Sequence, residues 1–197
     1  METPYQLIRL SPPERECIHY YYDVCPESPD GKRIVYFRFA GAVPGPGAIM
    51  VADRDGVNAR PVFEINDTVD RHSAARQLWV DNDTVACCLG DGGRLKTVFV
   101  SVSRGTRREL RGALRMISPT APLGLTTLHD FADLPSMKDD AVCLMDLRTG
   151  NLRPLFTVAD ALKVHPLGPS FPGDDRILFL HTKWSPGGTR FFFMAAN

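Results

Sequence analysis

Five side chains carry most of the chemistry that can be read directly from this sequence: His19, Tyr22, His72, His181 and Lys183. An imidazole can ligate a metal or move a proton near neutral pH. A tyrosine ring can bear a sugar ring, and a lysine can draw in a carboxylate. Each also has an ordinary reading. A histidine can hydrogen-bond a neighbouring sheet, a tyrosine can fill space between sheets, and Lys183 or Arg38 can be solvated surface charge. The spacing decides little, because no His-x-His or Glu-x-x-His pair occurs to suggest metal ligation. His129 and His165 are expected in loops. Within "HYYYD", His19 to Asp23, strand alternation would place Tyr20 and Tyr22 on one face and Tyr21 on the other.

No nucleophile elbow, Walker loop, GxGxxG or His-Glu-x-x-His motif is present. "LGDGGR", Leu89 to Arg94, is glycine-rich but joins two apolar runs, so it reads as a hairpin loop and not a phosphate cradle. Catalytic residues are therefore left unassigned. Cys17, Cys25, Cys87, Cys88 and Cys143 are odd in number and lack CxxC spacing, which indicates neither a disulfide framework nor a zinc site. No metal-binding set is expected within the chain.

Bulk properties narrow the class. The 197 residues carry 23 Lys plus Arg against 23 Asp plus Glu, so no net charge recommends nucleic acid or an anionic membrane as a partner. The run Ser103 to Arg115 holds five arginines and one glutamate and reads as a solvated outer edge. No apolar stretch reaches the roughly 20 residues of a membrane span. The N-terminus lacks a secretory pattern, so a cytoplasmic location is expected.

The elements that must position these side chains emerge from a repeat. "SPDGKRIVYF" (Ser28 to Phe37) and "SPGGTRFFFM" (Ser185 to Met194) are near copies, each a Ser-Pro turn, an arginine and an apolar strand. "RQLWVDNDTVACCLG" has the same shape, with Asp81-Asn82-Asp83 as its turn and Val80 in the place of Ser28. A further copy is expected near residue 130. A second hairpin repeats beside the first, with turns at Gly56, Gly105 and Gly150, where glycine supplies the positive φ of a tight turn. Two hairpins per unit of ~40–50 residues predict an all-β fold of β-propeller type. The expected blades are 16–65, 72–112 and 114–157, with a fourth begun over 176–197. A short helix or loop insertion lies within 158–175, and Tyr5 to Leu10 is expected as a lone strand. His19, His72 and His181 would then fall on channel-lining strands. A sandwich or a barrel is the alternative arrangement.

"HYYYDVCPESPDGKRIVYFRF", "GAIMVADRDG" and "HTKWSPGGTRFFFM" resemble the propellers of the oligogalacturonate lyase group and of the Tol-system protein. The resemblance implies a propeller about twice as long as this chain. It also implies a metal-dependent β-elimination on uronic-acid sugars, with an acidic oligosaccharide as ligand. In that family the metal and catalytic residues lie in later blades, so none is carried onto these residues. No cofactor is expected within the chain, although a divalent cation is implied for a full-length parent. The alternative is a non-catalytic propeller that binds a protein or glycan partner. The apolar run Phe191 to Met194 is expected to lack a pairing strand and to drive self-association.

Overall fold

The computed structural model describes residues 8–66, 73–91, 94–131, 134, 139–164 and 177–196. The fold is all-β, with fourteen strands, a 3-10 turn at Leu128–Asp130 and one short helix, α1 (Val158–Val164), among the described residues. The first sheet takes β1 (Cys17–Ile18), β2 (Arg33–Phe39), β3 (Gly47–Asp53) and β4 (Arg60–Ile65) in chain order. The second takes β5 (Leu78–Trp79), β6 (Thr84–Asp91), β7 (Arg94–Ser101) and β8 (Arg107–Arg111). The third takes β9 (Met116–Ile117), β10 (Leu123–Thr127), β11 (Ala141–Asp146) and β12 (Leu152–Thr157). The fourth pairs only β13 (Leu178–Trp184) with β14 (Phe191–Ala196). Contacts divide the chain into two compact units, Met1–Gly90 with Val98–Glu109, and Asp91–Thr97 with Leu110–Asn197.

One backbone hydrogen bond recurs at the first turn of every sheet. The amide N–H of Ser28 donates to the carbonyl of Arg33, Val80 to Thr84, Ser118 to Leu123 and Ser185 to Arg190, each at 2.8 Å. In the two near-identical phrases the serine hydroxyl also accepts the arginine amide, at 3.0 Å for Ser28 and 3.2 Å for Ser185. Gly31 and Gly188 complete these turns at φ of 69° and 65°. The missing copy is thus Ser118-Pro119-Thr120 and not a turn near residue 130. The expected position assumed even spacing, but the link from β8 to β9 is only four residues, whereas α1 and the segment after it lengthen the next step. The second hairpins repeat as closely: Gly56, Gly105 and Gly150 all have positive φ, and their amides close turns onto Asp53, Ser101 and Asp146.

The inner strands β2 and β3 are continuous apolar runs because both of their faces are buried. Val35, Phe37 and Phe39 pack with Ile49 and Val51 against Trp79, Val85, Cys87, Val98 and Val100 of the second sheet. Ile34, Tyr36, Ala48, Met50 and Ala52 form a separate cluster on the opposite face. The sheet edge allows no bulk at Gly47, where an added Cβ would meet the Arg38 carbonyl at 2.2 Å. In the second unit Leu125, Val142, Leu144 and Phe179 centre a second core, into which Phe191 and Phe193 pack. The fourth strands are largely exposed, as at Arg107–Arg111.

Among the described residues, two stretches expected as strand are not. Tyr20 to Asp23 leave the sheet: β1 ends at Ile18, pairing resumes only at the Glu27–Ile34 bridge, and a hydrogen bond from Val24 N–H to the Tyr21 carbonyl turns the excursion. Tyr21 and Tyr22 therefore stack on each other, with ring centroids 4.6 Å apart, and do not alternate across a strand. Ile8 to Leu10 are not a strand either, and Arg9 and Leu10 lie against the Gly56 turn; Tyr5 to Leu7 fall outside the described residues. No described helix is long and apolar enough to cross a membrane.

Four aspartates hold turns or a helix start and are shifted below the ordinary carboxylate value. The Ser28 hydroxyl does this for Asp30, the Ser101 hydroxyl for Asp83, the Thr149 backbone N–H for Asp146 and the Thr157 hydroxyl for Asp160. Asp160 and Thr157 form a reciprocal capping box on α1, with Thr157 N–H to Asp160 and Asp160 N–H to Thr157 both at 3.1 Å. A carboxylate whose folded pKa is depressed stabilises the fold above its unfolded pKa and loses that contribution as pH falls through the folded one. The urea midpoint should therefore hold near neutrality and decline as pH drops below about 4. Asp83→Asn should make that decline shallower, and an unchanged acid limb would contradict the assignment.

Candidate functional site

The sequence-selected residues do not converge on one site. His19 lies just beyond β1, exposed, at the mouth of a cleft of about 220 Å³ in the first unit. Leu10, Ile18, Pro26 and Ile34 give that cleft an apolar wall, and Cys17 supplies a thiol. Burial pushes the Cys17 pKa up, so the group stays a neutral thiol rather than a nucleophilic thiolate. Tyr22 is 74% exposed on the excursion after β1. His181 and Lys183 sit on β13 in the second unit, and His72 falls outside the described residues.

His181 is held in an uncommon backbone state. Register along β13–β14 jumps between Leu180 and Lys183, so His181 and Thr182 together oppose one residue of β14, and His181 takes φ of 49°. Such a bulge bends the strand and re-aims its side chains. Lys183 leans over the Phe192 ring, 5.9 Å from its centroid.

The densest polar constellation is one that the sequence did not indicate. His129, expected in a loop, lies in the 3-10 turn after β10 and donates through its backbone N–H to Asp140 at 3.0 Å. Its Nδ1 is 2.7 Å from the other oxygen of Asp140, a fully buried carboxylate. The Arg115 guanidinium reaches His129 Nε2 at 3.1 Å and also pairs with Asp130, which accepts the Thr127 hydroxyl at 3.0 Å. Arginine only donates, so Nε2 must accept, and the ring carries its proton on Nδ1, directed at Asp140. With both nitrogens engaged, this imidazole is a clamp between β10 and the start of β11. Thr126 extends the clamp by donating to the Ala113 carbonyl at 2.6 Å. Residues far apart in sequence meet here, and no local spacing announces the contact.

The arginine run is likewise not simply a solvated edge. Arg107 stacks over Phe63 at 4.6 Å, Arg108 over Phe99 at 4.3 Å and Arg111 over Phe131 at 5.2 Å, while Arg115 enters the buried clamp. Arg107, Arg108 and Arg111 thus cover aromatic rings at an exposed strand.

The remaining surface feature is apolar. On β14, Phe191 and Phe193 pack inward, whereas Phe192 and Met194 are 55% and 43% exposed. Arg190 is exposed beside them at the turn.

No protein-family model and no curated protein matches the sequence. Among solved structures, the chain is similar to a puromycin hydrolase, a serine-to-alanine mutant determined in complex with PGG. The identity is 10%, 85% of this chain and 32% of that one are covered, and the TM-score is 0.33. The chain thus spans about a third of that protein, and a superposition this loose carries no argument about fold or chemistry.

The clamp has a measurable consequence. His129→Ala would leave the Asp140 carboxylate buried without its imidazole partner. Loss of a hydrogen bond to a buried charged group costs about 1.5–3 kcal/mol. Urea denaturation should show a loss of that order, with Asp140→Asn milder because an amide oxygen can still accept from Nδ1. Equal, negligible effects of both substitutions would refute a structural clamp.

Proposed function

We propose that the chain is a run of β-propeller blades acting as a non-catalytic binding module, with the outer face of β13–β14 as its contact surface. One observation carries the reading. Among the described residues, Phe192 and Met194 stand exposed at positions that are covered in the first sheet. Aligned on the turn-closing hydrogen bond, Phe192 and Met194 correspond to Val35 and Phe37, which are 1% and 0% exposed beneath the second sheet. Exposed apolar side chains standing together on one sheet face mark a contact surface.

The lyase chemistry implied by the family resemblance is assigned to no residue of this chain. With added manganese, the isolated chain should release no ultraviolet-absorbing unsaturated product from oligogalacturonate; turnover would overturn the non-catalytic reading. With no partner present, the same surface should drive concentration-dependent self-association in sedimentation velocity. Phe192→Asp combined with Met194→Lys should yield a monomer with an unchanged circular dichroism spectrum. A wild-type chain that stays monomeric across the whole concentration range would defeat the contact surface.

A further inference from the structure

The first and second sheets are joined by a latch whose donor half is repeated on the last sheet. Arg33, the residue that closes the first turn, reaches across to donate to the Asn82 carbonyl in the turn of the second sheet. Its guanidinium lies over the Trp79 ring, 5.3 Å from the centroid. Trp79 returns a hydrogen bond from its indole N–H to the Pro26 carbonyl at 2.9 Å, and the Asn82 side chain accepts the Asp30 amide at 2.9 Å. Behind the latch, Val35, Phe37 and Phe39 meet the apolar face of the second sheet.

Arg190 occupies the position of Arg33. It closes the same turn with the same 2.8 Å bond, and its amide is accepted by Ser185 Oγ as that of Arg33 is by Ser28 Oγ. It is also followed by the same alternation, with Phe192 and Met194 where Val35 and Phe37 stand. The third sheet has Leu123 at this place, so the arginine is a feature of the first and last sheets and not of every one.

We infer that Arg190, Phe192 and Met194 form a docking face for an antiparallel β-sheet that carries a tryptophan and an open turn carbonyl, as β5–β6 does. The inference rests on the proposed contact surface and names what it takes. The guanidinium stacks on the partner's indole and donates to its turn carbonyl, and the two apolar side chains enter its face. Desolvation between packed sheets strengthens the cation–aromatic contact relative to its value in water.

The probe is a backbone-cyclised hairpin peptide with the sequence of residues 76–88, serine replacing its two cysteines, titrated into the full chain by calorimetry. Cyclisation is needed because an isolated hairpin is only marginally stable. Saturable binding is expected. Arg190→Ala in the chain, or leucine for tryptophan in the peptide, should each weaken it about five- to tenfold, and the two together should weaken it little further. Binding indifferent to Arg190, or no heat up to the solubility limit, would overturn the docking face. A second arm needs no peptide: Arg33→Ala and Trp79→Leu, singly and combined, should show non-additive losses in urea melts, and strict additivity would remove the template. Self-association abolished by Phe192→Asp, together with no binding of the peptide, would refute the latch while leaving the contact surface standing.

Discussion

The turn-closing hydrogen bond at Ser28, Val80, Ser118 and Ser185 is the constraint on which the other features rest. Side chains alternate across a strand with a period of two, so a slip of one residue would exchange every buried group for an exposed one. By closing at the same place in each sheet, with a ring one residue shorter at Val80 than at Ser28, Ser118 and Ser185, the turns set β2, β6, β10 and β14 in equivalent registers. Val85 and Cys87 then face back toward the first sheet, Leu125 faces on toward β13–β14, and Phe191 with Phe193 face back toward the third sheet. The apolar residues need no further instruction about which way to point.

Given that register, the polar side chains divide into two kinds of work. Some hold turns: Asp83 accepts from the Ser101 and Ser103 hydroxyls and the Ser103 amide, and Asp146 accepts from the amides of Arg148 and Thr149. Others tie one element to another, as Gln77 does by donating to the Ile18 carbonyl and Thr97 by bridging the Gly112 carbonyl and the Leu114 amide. Cys87 and Cys143 serve packing instead. Burial raises the Cys87 thiol far above its usual range and moves Cys143 up to about 11, and a neutral thiol packs as a small hydrophobe.

Turns at glycine were legible in the sequence because positive φ is a property of one residue and its neighbours. Gly56, Gly105 and Gly150 announce themselves for that reason. The tyrosine run misled for a related reason: its strand propensity is high, yet propensity reports how a side chain suits a pleated surface, and here the chain leaves the sheet between Ile18 and Glu27. The Ser118 turn was hidden by assuming equal steps, although connections vary in length more freely than the sheets they join. The clamp of Arg115, Thr127, His129, Asp130 and Asp140 was invisible because it depends on register between strands. Arg115 to Asp140 is a long way along the chain and a short one across the third sheet.

The outer face of β14 is best understood through the difference between equal sequence roles and unequal surroundings. Val35 and Phe192 occupy one position in the repeat, as do Phe37 and Met194, yet one pair is sealed and the other meets water. Fully burying side chains of this kind stabilises by about 1.5–3 kcal/mol each, so their exposure leaves a favourable term unrealised. The face is nonetheless not uniformly greasy. Lys183 covers part of Phe192, and Arg190 stands at the turn, so a cation flanks the apolar patch on each strand. Charge at the margin of an exposed strand discourages indiscriminate pairing because an arriving apolar edge must desolvate it. The docking face proposed for Arg190, Phe192 and Met194 would draw its selectivity, for an aromatic ring and a carbonyl over a featureless strand, from the same physics that joins the first two sheets.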